Sequence, residues 1–138
     1  MKTFELKVLT CDRTFYDGPC EKLLFPATDG QMEILADHEQ MTASIEIGEM
    51  KFKTPDSDEW QVAVVSKGLV EVDRNQVLLI AFSAERPEEI DEFRAQEALE
   101  RAQEKLINQK SIVEYHVNQA NLARALARLK TAGKYKAK

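Results

Sequence analysis

The chain has 138 residues and a formal net charge of −5 at pH 7, enough for one ordinary domain or two small ones. It contains no apolar run of the roughly 18 residues that a transmembrane helix needs, and its first residues lack the apolar core of a signal peptide. Residues 1–90 carry 9 basic and 18 acidic side chains, whereas residues 91–138 carry 10 and 6. An acidic first part and a basic second part indicate two surfaces with different partners.

The lack of a leader sequence predicts a cytosolic chain, or one bound to the cytoplasmic face of a membrane. Cys11 and Cys20 are the two cysteines of the chain, and the thiols of cytosolic proteins stay reduced. We therefore expect no disulfide bond between them.

The first 86 residues follow the pattern of many short β-strands. Phe4, Leu6 and Val8 alternate with polar residues, as in a strand with one buried face, and residues 60–64 repeat this alternation. Residues 77–82 are almost continuously apolar, which predicts a strand that is buried on both faces. Turn signals containing glycine, proline or aspartate separate the apolar segments. Short strands at this spacing predict a sandwich or a barrel.

Helical spacing replaces this alternation beyond Pro87. Acidic residues cluster where the first helix begins, which suits the positive end of a helix, and Asp91 is the predicted N-cap. The first helix is predicted to extend to a short polar connection at residues 108–111, and the second helix from there to about Lys130. Gly133 is predicted to stop the second helix.

Alanines recur at helical spacing in both predicted helices. Because the connection is short, these faces predict an antiparallel hairpin whose backbones lie close together. Alanine buries little area, at about 25 cal/mol per Å², so the seam between the helices should be weak. The helices should therefore separate or redock at modest cost, which provides a physical route to a switch. The alanines concerned are Ala95, Ala98 and Ala102 in the first helix and Ala120, Ala123 and Ala127 in the second.

The order of these segments, and the motifs within them, resembles the epsilon subunit of bacterial F-type ATP synthases over the whole chain. The most specific match is the helix start at residues 90–95, Ile-Asp-Glu-Phe-Arg-Ala. A loop at residues 29–38, a strand pair at residues 62–72 and the segment at residues 124–129 also match. The chain departs from the family pattern with Gln31 in place of Glu, Glu33 in place of Gly, Ala36 and Asp37 in place of Pro-Gly, Gln40 in place of Pro, and Lys67 in place of the first of two glycines.

The resemblance implies a two-part fold and a non-catalytic role. An antiparallel β-sandwich over residues 1–86 would contact the gamma subunit and the ring of c subunits. An antiparallel two-helix hairpin over residues 87–138 would fold on the sandwich or extend towards the alpha/beta catalytic hexamer, and the extended form would inhibit ATP hydrolysis. The implied location is the cytoplasmic face of the bacterial cell membrane, reached only through the proton- or sodium-translocating complex. No catalytic residue and no required cofactor are implied.

Asp91 and Arg94 have two interpretations. The simpler one is a helix cap with a surface ion pair worth under about 1 kcal/mol. The other is a nucleotide site, since Arg124 and Arg128 lie four residues apart on one helix face and guanidinium groups suit phosphate. The resemblance implies ATP as a regulatory ligand, which several family members bind without hydrolysing it. The implied ATP-binding residues are Glu85, Ile90, Asp91, Arg94, Ala95, Arg124 and Arg128.

His38 lies between two acidic residues, which suggests a metal site. Three adjacent residues cannot all face one ion on a regular element, and the sequence has no second histidine cluster, so we predict no metal site. The match of His38 to the family's loop histidine implies instead a structural role or a contact in the rotor interface with the c-ring.

A nucleic-acid-binding tail, a small enzyme and an adaptor are the other classes to weigh. The basic segment at residues 124–138 has no interleaved aromatic residue apart from Tyr135, so nucleic acid is not a predicted partner. The sequence shows neither a nucleophile–base pair nor carboxylates spaced for a catalytic pocket. A general adaptor with a β-sandwich and a mobile helical arm is the alternative to a rotor subunit.

Overall fold

The computed structural model describes residues 2–107 and 111–136, and the chain divides into two compact units. The first unit, Met1–Glu85, is built from β-strands, and the second, Arg86–Lys138, is helical. The strands are β1 (Phe4–Leu9), β2 (Thr14–Cys20), β3 (Lys22–Ala27), β4 (Gly30–Leu35), β5 (Met41–Ile45), β6 (Gly48–Lys53), β7 (Trp60–Val65), β8 (Gly68–Asp73), β9 (Gln76–Ala81) and β10 (Ala84–Glu85).

One hydrogen-bonded sheet runs through the first unit in the order β10-β7-β6-β3-β5-β8-β9-β1-β2, with β4 also paired to β3. Within the described residues every pairing is antiparallel except that of β1 with β9, which places the first strand beside the last long one. β3 pairs with β6 over residues 22–24 and with β5 at Ala27, so this strand connects the two halves of the sheet. The predicted antiparallel β-sandwich is confirmed.

The core of the first unit consists of inward-facing residues from alternate positions of the strands. Phe4, Leu6 and Val8 are fully buried or nearly so, while the polar residues between them are exposed, as the period-2 pattern predicted. The largest fully buried side chains are Phe4, Phe25, Phe52, Leu6, Leu23, Ile34, Ile45, Met50 and Leu79.

The prediction that residues 77–82 form a strand buried on both faces is wrong. Val77, Leu79 and Ala81 are buried, but Ile80 is 47% exposed and Phe82 is 69% exposed. β9 contributes only one face to the core, so its continuous apolar sequence leaves part of its surface uncovered. In β7, by contrast, all four residues at 62–65 are buried.

Two α-helices and a short 3-10 helix form the second unit: the 3-10 helix spans Pro87–Glu89, α1 spans Glu92–Ile107 and α2 spans Ile112–Lys136. Asp91 caps α1 as predicted, because its Oδ1 accepts a hydrogen bond of 3.1 Å from the backbone N–H of Arg94. Ser111 caps α2 through a bond of 3.1 Å from the N–H of Glu114 to its Oγ. The rest of the predicted connection, residues 108–110, lies outside the described residues.

Gly133 does not stop α2, contrary to the prediction, and the helix continues to Lys136. A glycine within a helix costs only about 1 kcal/mol relative to alanine, and it ends a helix when it adopts a left-handed conformation. Gly133 has no positive φ angle. None of the helices in the described residues is both long and apolar enough to cross a membrane.

α1 and α2 pack against each other through small side chains, and α2 also contacts the 3-10 helix. Ala95 and Ala102, two of the three alanines predicted for the seam, are the buried residues of α1, and Ala98 is half-buried. The predicted face of α2 is only partly correct, since Ala123 is exposed and Ala120 and Ala127 are half-buried. The buried residues of α2 are instead Asn118, Ala125, Thr131 and Ala132.

The two cysteines are free and lie in different environments. Cys11 is exposed, whereas Cys20 is buried and its thiol donates to the backbone oxygen of Lys22 at 3.1 Å. Burial raises the pKa of the Cys20 thiol from an ordinary value of 9.0 to about 11.

We expect iodoacetamide at pH 8 to modify Cys11 and to spare Cys20 in the folded protein, with mass spectrometry as the measurement. Since the pKa of Cys20 is higher when folded, its protonated thiol favours the folded state below about pH 9, and this contribution is lost as the pH rises towards 11. Equal labelling of both thiols in the native protein would contradict the burial of Cys20.

Candidate regulatory and interface sites

Four of the implied ATP-binding residues lie close together around the start of α1: Ile90, Asp91, Arg94 and Ala95. Arg94 Nε lies 3.8 Å from Asp91 Oδ2, and the Arg94 side chain is 81% exposed. The backbone N–H of Ala95 donates to the Asp91 carbonyl at 3.0 Å. Ile90 and Ala95 are buried beside this exposed pair. The ion pair of the simpler interpretation is therefore present, and the exposed guanidinium of Arg94 is accessible to a ligand.

Arg124 and Arg128 lie one turn apart on α2, and both side chains are half-buried. Arg124 donates through Nη2 to the Oδ1 of Asn121, one turn earlier on the same helix. A ligand that bound Arg124 would therefore compete with Asn121 for its guanidinium. Asn121 was not singled out in the sequence, although its position three residues before Arg124 allows this contact.

Six of the seven implied ATP-binding residues belong to the second unit, in which α2 packs against α1 and the 3-10 helix. The seventh residue, Glu85, belongs to the first unit, where it ends β10 and pairs with Val64 of β7. The structure therefore brings the elements that carry Arg94, Arg124 and Arg128 together in one hairpin.

His38 lies in a loop that hydrogen bonds hold in place. The preceding residue, Asp37, has a φ angle of 62°, and its N–H donates to the Oδ1 of Asn75 at 2.8 Å. Lys2 contacts the carboxylate of Asp37 at 3.3 Å. Nδ1 of His38 donates to the carbonyl of Glu39 at 2.7 Å. Aspartate tolerates the left-handed conformation better than most residues, which explains how this chain keeps the loop without the glycine of the family pattern.

Asn75 connects this loop to the N-terminus and to the turn between β8 and β9. Its Nδ2 donates to the carbonyl of Thr3 at 3.0 Å, and its own carbonyl accepts from the N–H of Glu5 at 3.2 Å. Its φ angle of 59° follows that of Arg74 at 52° in a turn with two left-handed residues. The sequence predicted the turn, but the link to the loop of His38 spans 38 residues and has no local signal.

The described residues contain no group of three or more His, Cys, Asp or Glu side chains that could hold a metal ion. His38 contacts the backbone carbonyl of Glu39 through Nδ1, and the carboxylate of Asp37 contacts Lys2. The interpretation of His38 as a metal ligand therefore has no geometric support.

The outer face of the sheet carries an exposed apolar patch that the sequence did not predict. Leu69 of β8 is 53% exposed and pairs directly with Ile80 of β9, and Phe82 follows at the end of that strand. The three side chains line a shallow depression of about 360 Å³ together with Thr10 and Cys11. Contiguous apolar surface of this kind is typical of protein interfaces.

The same face becomes charged towards the turn between β8 and β9. Outward positions of four neighbouring strands line a shallow depression of about 620 Å³. The register places Glu71, Leu78, Lys7 and Asp17 in one row across β8, β9, β1 and β2. The alternate polar positions of β1 and β8 were the signal for this surface, but the row itself depends on the register between distant strands.

Comparison with known proteins assigns the chain to a family. Residues 3–87 match the profile of the ATP synthase delta/epsilon chain beta-sandwich domain, and residues 88–133 match that of its long alpha-helix domain. The chain belongs to the ATP synthase delta/epsilon family. The predicted epsilon-subunit resemblance is confirmed, and with it the prediction of a non-catalytic subunit of the complex.

Two curated relatives in this family extend over almost the whole chain. The ATP synthase epsilon chain of Caldanaerobacter subterraneus subsp. tengcongensis is 47% identical, with 97% of this chain and 96% of that one covered. The ATP synthase epsilon chain of Ruminiclostridium cellulolyticum is 39% identical, with 94% of this chain and 95% of that one covered. Membership of this family replaces the alternative of a general adaptor.

Two solved structures share the fold. A chain in the Euglena gracilis mitochondrial ATP synthase, described as OSCP/F1/c-ring, aligns with a TM-score of 0.80 at 21% identity, over 94% of this chain and 81% of that one. A chain of the Tetrahymena thermophila mitochondrial ATP synthase, described as central stalk/c-ring, aligns with a TM-score of 0.68 at 11% identity, over 95% of this chain and 97% of that one. At these identities the likeness concerns the fold alone.

Proposed function

We propose that this chain is a rotor subunit that couples the c-ring to gamma and inhibits ATP hydrolysis through its C-terminal helices. The observation that carries the proposal is the match of both units to consecutive domains of one ATP synthase subunit family. The coupling ion is a proton or sodium. The chain acts at the cytoplasmic face of the membrane as a peripheral component, held there by the complex.

The first unit provides the proposed rotor contacts. The exposed patch of Leu69, Ile80 and Phe82 offers apolar area to a protein partner, for which we propose gamma. The loop of His38 is fixed by Asn75, and a fixed loop loses little conformational freedom on binding. We propose that it faces the c-ring. Both assignments rest on the family resemblance together with these surfaces.

The second unit provides the proposed regulation. Residues 91–138 hold 10 basic against 6 acidic side chains, so the extended hairpin would favour acidic surface on the alpha/beta hexamer. The seam between α1 and α2 consists mainly of alanine, which limits the area lost when the helices separate. A hairpin of this kind can exist in two arrangements whose populations a ligand shifts.

We further propose ATP as the ligand of the folded hairpin, bound without hydrolysis. The site would combine Glu85, Ile90, Asp91, Arg94, Ala95, Arg124 and Arg128. Arginines from both helices would hold the phosphates, because planar guanidinium groups form paired, charge-assisted hydrogen bonds to phosphate oxygens. A ligand that binds only when the helices are close stabilises the folded hairpin by mass action.

We expect isothermal titration calorimetry to detect ATP binding to the isolated subunit, and Arg94→Ala and Arg128→Ala to weaken it about tenfold or more. Each substitution removes a charge-assisted contact to phosphate. Gln103→Ala is the matched control, because Gln103 is an exposed residue of α1 outside the site, and its affinity should stay within about twofold.

Arg128 is half-buried, so its replacement also tests the hairpin itself. The helical circular dichroism of each variant separates loss of the hairpin from loss of the ligand contact. No heat of binding at millimolar ATP, or unchanged affinity in both folded arginine variants, would show that these residues serve only the hairpin and its partner contacts.

A further inference from the structure

The seam of the helical hairpin contains one buried asparagine, Asn118, whose amide nitrogen has no hydrogen-bond partner among the described residues. Asn118 is 3% exposed, and its Nδ2 has no hydrogen-bond partner among the residues that the structure describes. The other buried residues of the seam are alanines, apart from Thr131 near the end of α2. Asn118 therefore places an unsatisfied amide nitrogen inside the packing of the two helices.

The spacing of the buried residues places Asn118 in the seam and not beside it. Asn118, Ala125 and Ala132 are seven residues apart, as are Ala95 and Ala102 in α1, and a seven-residue repeat keeps side chains on one face of a helix. α1 ends at Ile107 and α2 begins at Ile112 in an antiparallel hairpin. Counting from these ends sets Ala102 level with Asn118, and Ala95 level with Ala125.

This register divides the seam into two unequal halves. The half beside the 3-10 helix contains Ala95 of α1 and Ala125 of α2, so both helices contribute an apolar side chain there. The half beside the connection contains Ala102 and Asn118. A buried amide nitrogen that lacks an acceptor loses its hydration without a replacement, whereas the same group in a separated hairpin is hydrated. Asn118 therefore favours separation, and it does so only in the half beside the connection.

A second observation places the weakness in the same half. Ile107, Ile112 and Val113, which flank the connection, are each more than two-thirds exposed, so the end of the hairpin gains little from apolar burial. Local opening of a protein starts where few buried apolar contacts oppose it.

We propose that Asn118 sets the opening equilibrium of the hairpin and that opening begins at the end beside the connection. The half of the seam that contains Ala95 and Ala125 remains packed during this first step. The regulatory consequence rests on the proposed function: Asn118 keeps the extended, inhibitory arrangement accessible, and a subunit without this amide stays folded.

Hydrogen exchange of the full-length subunit, followed by mass spectrometry, tests the opening equilibrium directly. Asn118→Ala continues the alanine seam and should slow the exchange of residues 99–107 and 112–121 about tenfold, with little change in residues 92–98 and 122–136. Asn118→Asp keeps the size but buries a charge, and should accelerate exchange in the same half. The exposed Gln103→Ala control should change neither half.

Unchanged or faster exchange in Asn118→Ala would overturn the proposal, since it would mean that the amide stabilises the seam or has no effect on it. Equal slowing in both halves would overturn the order of opening. Unchanged exchange in Asn118→Asp would show that the position is not enclosed when the hairpin is closed.

The same variant then separates this proposal from the function on which it rests. In the assembled ATP synthase complex, Asn118→Ala should raise the rate of ATP hydrolysis, because fewer subunits reach the inhibitory arrangement. If exchange slows and hydrolysis is unchanged, Asn118 still controls the hairpin, and the proposed inhibition is the part that fails.

Discussion

Removal of α2 is expected to raise the rate of ATP hydrolysis by the assembled complex about fivefold or more, within the range of ordinary allosteric coupling. A chain that ends at Ile107 lacks the helix that carries Arg124 and Arg128 and most of the basic residues of the second unit. It cannot present this positive surface to the catalytic hexamer, so the extended inhibitory arrangement is lost. The measurement is steady-state ATP hydrolysis by complexes reconstituted with the full-length or the shortened subunit.

Two controls identify the cause of this increase. A chain that ends at Gly133 loses Lys134, Lys136 and Lys138 but keeps Arg124, Arg128 and Lys130, and it should therefore keep part of the inhibition. Inhibition by the full-length subunit should weaken with added salt, since charges on a surface are screened beyond about 8 Å at physiological ionic strength. Hydrolysis that is equally slow with and without α2 would remove the inhibitory role.

Binding to gamma should persist in the chain that ends at residue 86.

The local pattern of the sequence was sufficient to predict most of the fold. Alternation in β1 and the cap at Asp91 depend on neighbouring residues, and both were predicted correctly. The errors occurred where burial depends on distant parts of the chain. β9 is apolar throughout, but only one of its faces meets the core, and no local property of residues 77–82 distinguishes these two cases.

The prediction of which face of α2 packs in the seam was only partly correct, for a related reason. Alanine is small enough for either a packed or an exposed position, so the predicted face of Ala120, Ala123 and Ala127 had no residue that decided its direction. The observed seam contains Asn118 and Ala125. A search for apolar residues at helical spacing misses this face, because Asn118 is polar. The choice of face was therefore made by packing between the helices and not by the composition of α2.

The candidate site was predictable to the extent that it consists of local pairs. Asp91 with Arg94, and Arg124 with Arg128, follow from spacing along one helix. The contact of Asn121 with Arg124 was within reach of the same reasoning. The link between Asn75 and Asp37 was not, because it joins two turns that only the folded sheet brings together.

Gly68→Ala is expected to destabilise the first unit by about 3 kcal/mol. Gly68 begins β8 and pairs with Ala81 of β9. A Cβ atom at this position would lie 1.9 Å from the backbone oxygen of Ile80 and 2.7 Å from the Cα of Ala81. Because these atoms are backbone, the clash cannot be relieved by a rotamer change, and β8 and β9 must move apart. This close approach of the two backbones explains the glycine at position 68.

Gly133→Ala is the matched substitution in the second unit, and it should have the opposite effect. No atom lies within 4 Å of a Cβ added to Gly133, and alanine in the interior of a helix is favoured over glycine by about 1 kcal/mol. Urea unfolding followed by the fluorescence of Trp60, the single tryptophan, reports on β7 and should show a lower midpoint for Gly68→Ala alone. Helical circular dichroism should show a higher midpoint for Gly133→Ala. If Gly68→Ala leaves the tryptophan transition unchanged, β8 and β9 do not approach each other as closely at this position as the 1.9 Å contact requires.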